Sequence, residues 1–143
     1  MKTKAGRMYG TRDLRLEEFE LPQIKDDEIL VKIMSDSICM STYKLVEQGK
    51  NHKRAPKNID TNPVIIGHEF SGVIVDVGSG VTRVKVGDRV TIEPILAKHN
   101  FIDDYKLDQN LTFVGFGSDG GFSKYCCISS DFVLQSTMSC RFE

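Results

Sequence analysis

Apolar and polar positions alternate along most of this chain, and the alternation predicts strands. Ile29, Val31 and Ile33 occupy successive odd positions with Lys32 facing away, the pattern of a strand with one buried face. Leu14, Leu16 and Phe19 keep one face only if the chain slips at Glu17 and Glu18, which predicts a bulge there. Residues 64–66 are an apolar run into Gly67, after which Val73, Val75 and Val77 alternate with Ile74 and Asp76. Gly78-Ser79-Gly80 and Gly87-Asp88 are turn sequences around Val84, Val86 and Val90. Residues 122–128 and 132–134 read as two late strands. The period changes once. Ser41 and Thr42 offer a cap to a short helix through Leu45, Val46 and Gln48, and Gly49 offers a stop. Residues 49–63 are polar and punctuated by Pro56 and Pro63, a long loop of the kind associated with function or mobility. Residues 97–110 are irregular and polar, and the tail after Gln135 has no pattern. Short β-branched strands separated by glycine turns predict a mainly β barrel or sandwich with little helix.

Composition narrows the class. The chain has 143 residues, 40% hydrophobic and 27% charged, which is enough for one globular core and one domain. Nineteen Lys and Arg against twenty Asp and Glu leave a net charge of −1, which argues against nucleic acid as a partner. No apolar run reaches the roughly 18 residues of a spanning helix, so no membrane role is expected. The N-terminal stretch lacks the apolar segment of a signal peptide. Four cysteines, at 39, 126, 127 and 140, form no Cys-x-x-Cys motif. Thiols in a leaderless chain imply a reduced, cytoplasmic protein and not a disulfide framework.

The candidate chemistry lies at two predicted strand ends. Cys39 closes one strand, and His68 and Glu69 sit between a hydrophobic strand and a glycine-rich one. Thiolate, imidazole and carboxylate are the side-chain types that bind zinc. Three such ligands plus a water make an open, four-coordinate site of the catalytic kind. Taken singly, each residue has an ordinary structural reading: a turn histidine, or a cysteine buried as a small hydrophobe. A zinc protease helix is excluded, because His-Glu-x-x-His needs a second histidine where Gly72 stands.

The spacing of the glycines changes that balance. Gly67-His68-Glu69, then Gly72, Gly78 and Val81, followed by the run from Val84 to Val90, resembles the GroES-like catalytic domain of the zinc-containing alcohol dehydrogenases. These belong to the medium-chain dehydrogenase/reductase superfamily. The resemblance implies a GroES-like, partly open β-barrel over residues 1–135, with residues 136–143 an unassigned tail. It implies a catalytic zinc held by Cys39 and His68, with Glu69 as a third ligand or a nearby carboxylate. Ser41 falls where the family places a hydroxyl against the substrate alcohol, a catalytic role in passing its proton outward. It also implies hydride transfer to NAD or NADP, bound mainly by a Rossmann domain expected to be absent from this chain, which alone is then expected to be inactive.

The departures are informative. Cys39-Met40-Ser41 replaces the usual Cys-Gly or Cys-Arg, and Lys44 stands where many members carry a relay histidine, making it a candidate substrate residue. Residues 91–125 contain no cysteine, so the family's second, structural zinc is not expected. Gly115-Phe116-Gly117-Ser118-Asp119-Gly120 fits G-x-G-x-x-G, but a dinucleotide fingerprint needs a helix and an acidic residue about 20 positions on. Only strand-like sequence follows Gly121, so a glycine loop between strands is expected.

Lys44, Lys50, Lys53, Arg54 and Lys57 face one Glu47, a local net charge of +4. This is either a solvated loop or an electropositive rim suited to an anionic substrate. The run from Ser35 to Lys44, with His52-Lys53-Arg54 after it, resembles the sorbose-1-phosphate reductase branch, and Glu93-Pro94 the neighbouring polyol (sorbitol) dehydrogenases. The expected substrate is therefore a polyol or sugar phosphate, interconverted between secondary alcohol and ketone, with the full-length enzyme a homo-oligomer. Two rivals stand beside this reading. One is a metal-free GroES-like scaffold. The other is a zincless reductase of the quinone-reductase type, which usually lacks the Cys and the His-Glu pair.

Overall fold

A computed structural model describes residues 1–96 and 112–136. The chain forms β1 (Lys2–Gly10), β2 (Asp13–Glu20), β3 (Glu28–Asp36), α1 (Met40–Gln48), β4 (Val64–Ile65), β5 (Phe70–Val77), β6 (Arg89–Ile92), β7 (Ile95–Leu96), β8 (Thr112–Phe113), β9 (Tyr125–Ser129) and β10 (Val133–Gln135). Every ladder between these strands is antiparallel. Five strands pair in the order β10-β6-β5-β3-β9, three in the order β2-β1-β4, and β7 pairs with β8. A bridge from Ala5 to Ser123, with Gly6 N–H donating to Phe122 O at 2.7 Å, stitches the two larger sheets together. The result is the mainly β, partly open barrel that the sequence predicts.

Two apolar clusters hold it. Ile29, Val31, Phe70 and Ile74 pack with Val90 and Val133 inside the five-stranded sheet. Met8, Leu45, Ile59, Ile66 and Phe116 form the second cluster, beneath α1 and the long loop. Each fully buried aliphatic or aromatic side chain contributes roughly 1.5–3 kcal/mol relative to exposure. The loop over residues 49–63 is anchored by Ala55 and Ile59, both buried.

Several expectations change in detail. The expected slip at Glu17 and Glu18 does not occur, since these residues pair without interruption to Ala5 and Lys4. The irregularity lies opposite, in β1 between Met8 and Gly10. In a regular strand Leu14 and Leu16 share the face opposite Phe19, and they are 43% and 78% exposed. No element was expected over residues 2–10, yet β1 is the centre of its sheet. Thr3 and Ala5 are buried on one face and Met8 on the other, too small and too polar a set to stand out.

In β5 a bulge falls at Val75, because Val31 pairs with Ile74 and Leu30 with Asp76. Phe70, Gly72 and Ile74 therefore face inward, while Val75 is exposed. No strand forms over Val84 and Val86; Val84 is buried from a turn, and pairing begins at Arg89. α1 starts at Met40 with Cys39 at the N-cap, so Ser41 and Thr42 lie inside its first turn instead of capping it. Gly49 ends the helix, with its N–H donating to Leu45 O. The glycine pattern at 115–120 is a loop between β8 and β9, as expected. The expectations for residues 97–110, for Cys140 and for nearly all of the tail lie outside the described residues. Among the described residues no helix is long and apolar enough to cross a membrane.

Candidate metal centre

The end of β3 and the start of β5 bring the candidate ligands together. Asp36 pairs with Phe70, Ser37 N–H donates to Glu69 O at 3.2 Å, and Glu69 N–H donates to Asp36 Oδ1 at 3.2 Å. That clasp sets Cys39, three residues beyond β3, beside the His68-Glu69 pair. Gly67 makes the approach from β4 with φ +98°, a region that L side chains rarely adopt. A Cβ there would fall on Asp36 Oδ2 and the Phe122 ring. The backbone of the 115–120 loop lies directly against Gly67 O, where a Cβ at Gly115 or Gly120 would collide. The glycines of this loop therefore serve close backbone packing behind His68.

One ligand atom each from Cys39, His68 and Glu69 lies within 4.8 Å of the other two. Among the described residues this is the one cluster of three potential metal donors. His68 is buried, with its ring 5.1 Å from that of Phe116. Its Nδ1 hydrogen-bonds Thr42 Oγ1 at 3.3 Å, leaving Nε2 aimed at the cluster. Ser41 Oγ lies 3.0 Å from His68 Nε2 and 3.0 Å from Cys39 Sγ, between the two. Glu69 Oε1 is 3.9 Å from Nε2, and its other oxygen accepts from the Ser37 hydroxyl.

The electrostatics suit metal binding. Burial holds His68 below the usual histidine range; the Glu69 carboxylate opposes this and the Arg54 cation reinforces it. Hydrogen bonds from Ser37 and then Cys39 hold Glu69 below the usual carboxylate range. A neutral imidazole and an ionised carboxylate are the forms that ligate. Burial raises Asp36 to about 6, against the N–H bonds from Glu69 and Ser37, and its Oδ2 is buried without a partner.

These residues border a pocket of about 240 Å³, closed on its other sides by Arg54, Pro94, Ile95, Phe113, Val114 and Phe116. Cys39, Ser41, His68 and Glu69 are thus brought together as expected, whereas Lys44 is exposed on α1 and does not line the pocket. The cation that does line it is Arg54, with its guanidinium carbon 3.9 Å from the Phe113 ring centroid. Thr42, Arg54 and Asp36 were not singled out from sequence. Thr42 and Arg54 appear there as a helix cap, as one charge in a basic run, and within the two segments that carry the resemblance to the sorbose-1-phosphate reductase branch.

Residues 25–137 match the alcohol dehydrogenase GroES-like domain. The chain belongs to that family. It is 54% identical over 76 residues to L-sorbose 1-phosphate reductase of Klebsiella pneumoniae, covering 53% of this chain and 18% of that protein. The crystal structure of 2R,3R-butanediol dehydrogenase from Bacillus subtilis superposes with a TM-score of 0.80 at 36% identity, covering 93% of this chain and 40% of that one. Galactitol-1-phosphate dehydrogenase from Escherichia coli gives a TM-score of 0.80 at 30% identity, over 97% and 39%. The chain thus spans less than half the length of these relatives. A GroES-like domain of the zinc-type medium-chain alcohol dehydrogenases accounts for the barrel, and its relatives are alcohol, polyol and sugar-phosphate oxidoreductases.

Proposed function

We propose that this domain supplies the metal and substrate side of a cytoplasmic, zinc-dependent NAD(P) oxidoreductase that interconverts a secondary alcohol and a ketone on a polyol or sugar phosphate. The observation that carries this reading is the convergence of thiol, imidazole and carboxylate within 4.8 Å on the wall of one pocket. The donor set fits zinc. Ligand bonds of about 2.0–2.3 Å need adjustments on the order of an ångström from that spread. Cys39, His68 and Glu69 would hold the ion, which when bound lowers the pKa of a substrate hydroxyl.

The remaining work falls to the chain's own groups. Thr42 orients His68 through Nδ1, and Ser37 and the Glu69 N–H bond to Asp36 orient Glu69. Phe113, Phe116 and Ile95 keep water from the reacting carbon. Ser41 Oγ accepts the substrate hydroxyl proton and passes one on to solvent. A bound nicotinamide would supply the two-electron acceptor for the carbinol hydride, and the remaining proton leaves through Ser41. The nucleotide is held mainly by a domain outside these 143 residues, so the chain alone does not turn over.

Elemental analysis of the purified chain, beside Cys39→Ser and His68→Ala, tests the metal site. About one zinc per chain is expected in the wild type, lost in both variants. A folded wild type that takes up no zinc when it is resupplied would return the domain to a metal-free role.

A further inference from the structure

We infer that Arg54 is the anion anchor of this pocket, so that the substrate is a phosphate monoester in preference to a neutral polyol. The inference rests on the proposed function and narrows its substrate class. Of the described residues lining the pocket, Arg54 alone carries a fixed positive charge. Arg7, Arg12, Arg15 and Arg83 each pair with a carboxylate, whereas Arg54 has no acidic partner among the described residues. Its guanidinium is instead held against Phe113 by a ring contact, and its N–H fork makes no hydrogen bond among the described residues. A planar fork of donors matches phosphate oxygens in a way an ammonium does not.

Position and charge point the same way. Arg54 is tied into the loop through its backbone N–H, which donates to His52 Nδ1 at 3.2 Å. The His52 ring in turn lies 5.5 Å from Phe116, on the wall shared with His68. Among the described lining residues, a divalent cation would offset an ionised Cys39 and the Glu69 carboxylate, which leaves Arg54 as the uncompensated charge. A neutral polyol makes no use of that charge; a phosphate ester held by it is placed with its carbon chain toward the metal donors. The other cations of the run, Lys44, Lys50, Lys53 and Lys57, are exposed as Arg54 is, but they do not line the pocket.

The test is a binding titration of the zinc-loaded 143-residue chain with mannitol 1-phosphate and with mannitol. It is followed through the Arg54 Nε–H and Phe113 ring resonances, with zinc content measured on the same samples. The phosphate ester is expected to saturate and to shift the Arg54 signal, with affinity about 10-fold or more lower in Arg54→Gln and partly restored in Arg54→Lys. Lys53→Gln, which removes the adjacent charge outside the pocket, is expected to change affinity by less than about threefold. Equal losses in Arg54→Gln and Lys53→Gln would overturn the inference in favour of diffuse attraction. So would an unchanged Arg54→Gln, or a folded wild type that does not distinguish the ester from the polyol. Zinc retained without phosphate discrimination defeats this inference alone. Phosphate discrimination in a chain that takes up no zinc defeats the metal reading and leaves Arg54 standing.

Discussion

Thr42→Val is the sharpest perturbation of the metal centre that leaves every proposed ligand in place. Valine keeps the shape of threonine and removes one hydroxyl, the group that meets His68 Nδ1 at 3.3 Å. His68 is only 8% exposed, so water does not readily replace the lost partner. An unsatisfied buried polar atom costs about 1–3 kcal/mol. The long contact places this one toward the lower end, so the metal-free chain should lose about 1 kcal/mol in urea unfolding. The metal should report a larger change. Outer hydrogen bonds to a ligating histidine are typically worth 10–100-fold in affinity, and zinc should weaken by about that factor against a competing chelator. Ser41→Ala is the informative partner, since Ser41 Oγ contacts the other nitrogen of the same ring. Removing it takes away a neighbour on the metal side and leaves the ring orientation intact, so zinc affinity should not fall. Wild-type zinc affinity in Thr42→Val would refute the orienting role. An equal loss in Ser41→Ala would show that hydroxyl content, not ring orientation, controls the site.

Two further outcomes follow from the local geometry. Gly67→Ala forces an L residue into φ +98° and drives its Cβ onto Asp36 and Phe122. Backbone strain and overpacking together should cost about 2–6 kcal/mol, read as a lowered urea midpoint, and a loss below about 0.5 kcal/mol would contradict the packing described. The second outcome concerns pH. His68 has a folded pKa depressed mainly by burial, so the unfolded chain binds more protons near and below the ordinary histidine value. Its contribution is therefore fully present above about pH 6.5 and is lost as pH falls through the lower folded value. The urea midpoint of wild type should drop more steeply than that of His68→Gln between about pH 7 and about pH 5, and parallel profiles would count against a buried neutral ring.

The legible parts of the fold are those in which neighbours along the chain carry the signal. Ile29, Val31 and Ile33 declare β3 by period alone, and Gly49 declares the end of α1. β1 stayed hidden because its buried positions are Thr3, Ala5 and Met8, and its place comes from two neighbouring strands and the bridge to Ser123. Leu14 and Leu16 misled for the converse reason. They look like core by residue type, yet they stay exposed even though Leu14 lies opposite the buried Met8. At Val75, too, a bulge set by pairing with β3 decides which valines face inward.

The chemistry available here is legible in residue types and their spacing: one thiol, one imidazole and one carboxylate at strand ends, with glycines at the spacing of a known domain. Residue type and short-range spacing are local properties, and they survive in a linear string. The arrangement of that chemistry comes from the packing of the folded chain. It set Thr42 against a histidine 26 positions away, turned Arg54 into the pocket wall over Phe113, and left Lys44 on the outer face of α1. Such choices depend on strand register, a bulge and the path of a 15-residue loop between Gly49 and Pro63. Those are settled by the packing of distant segments on one another, where a shift of a single residue changes the face a side chain presents.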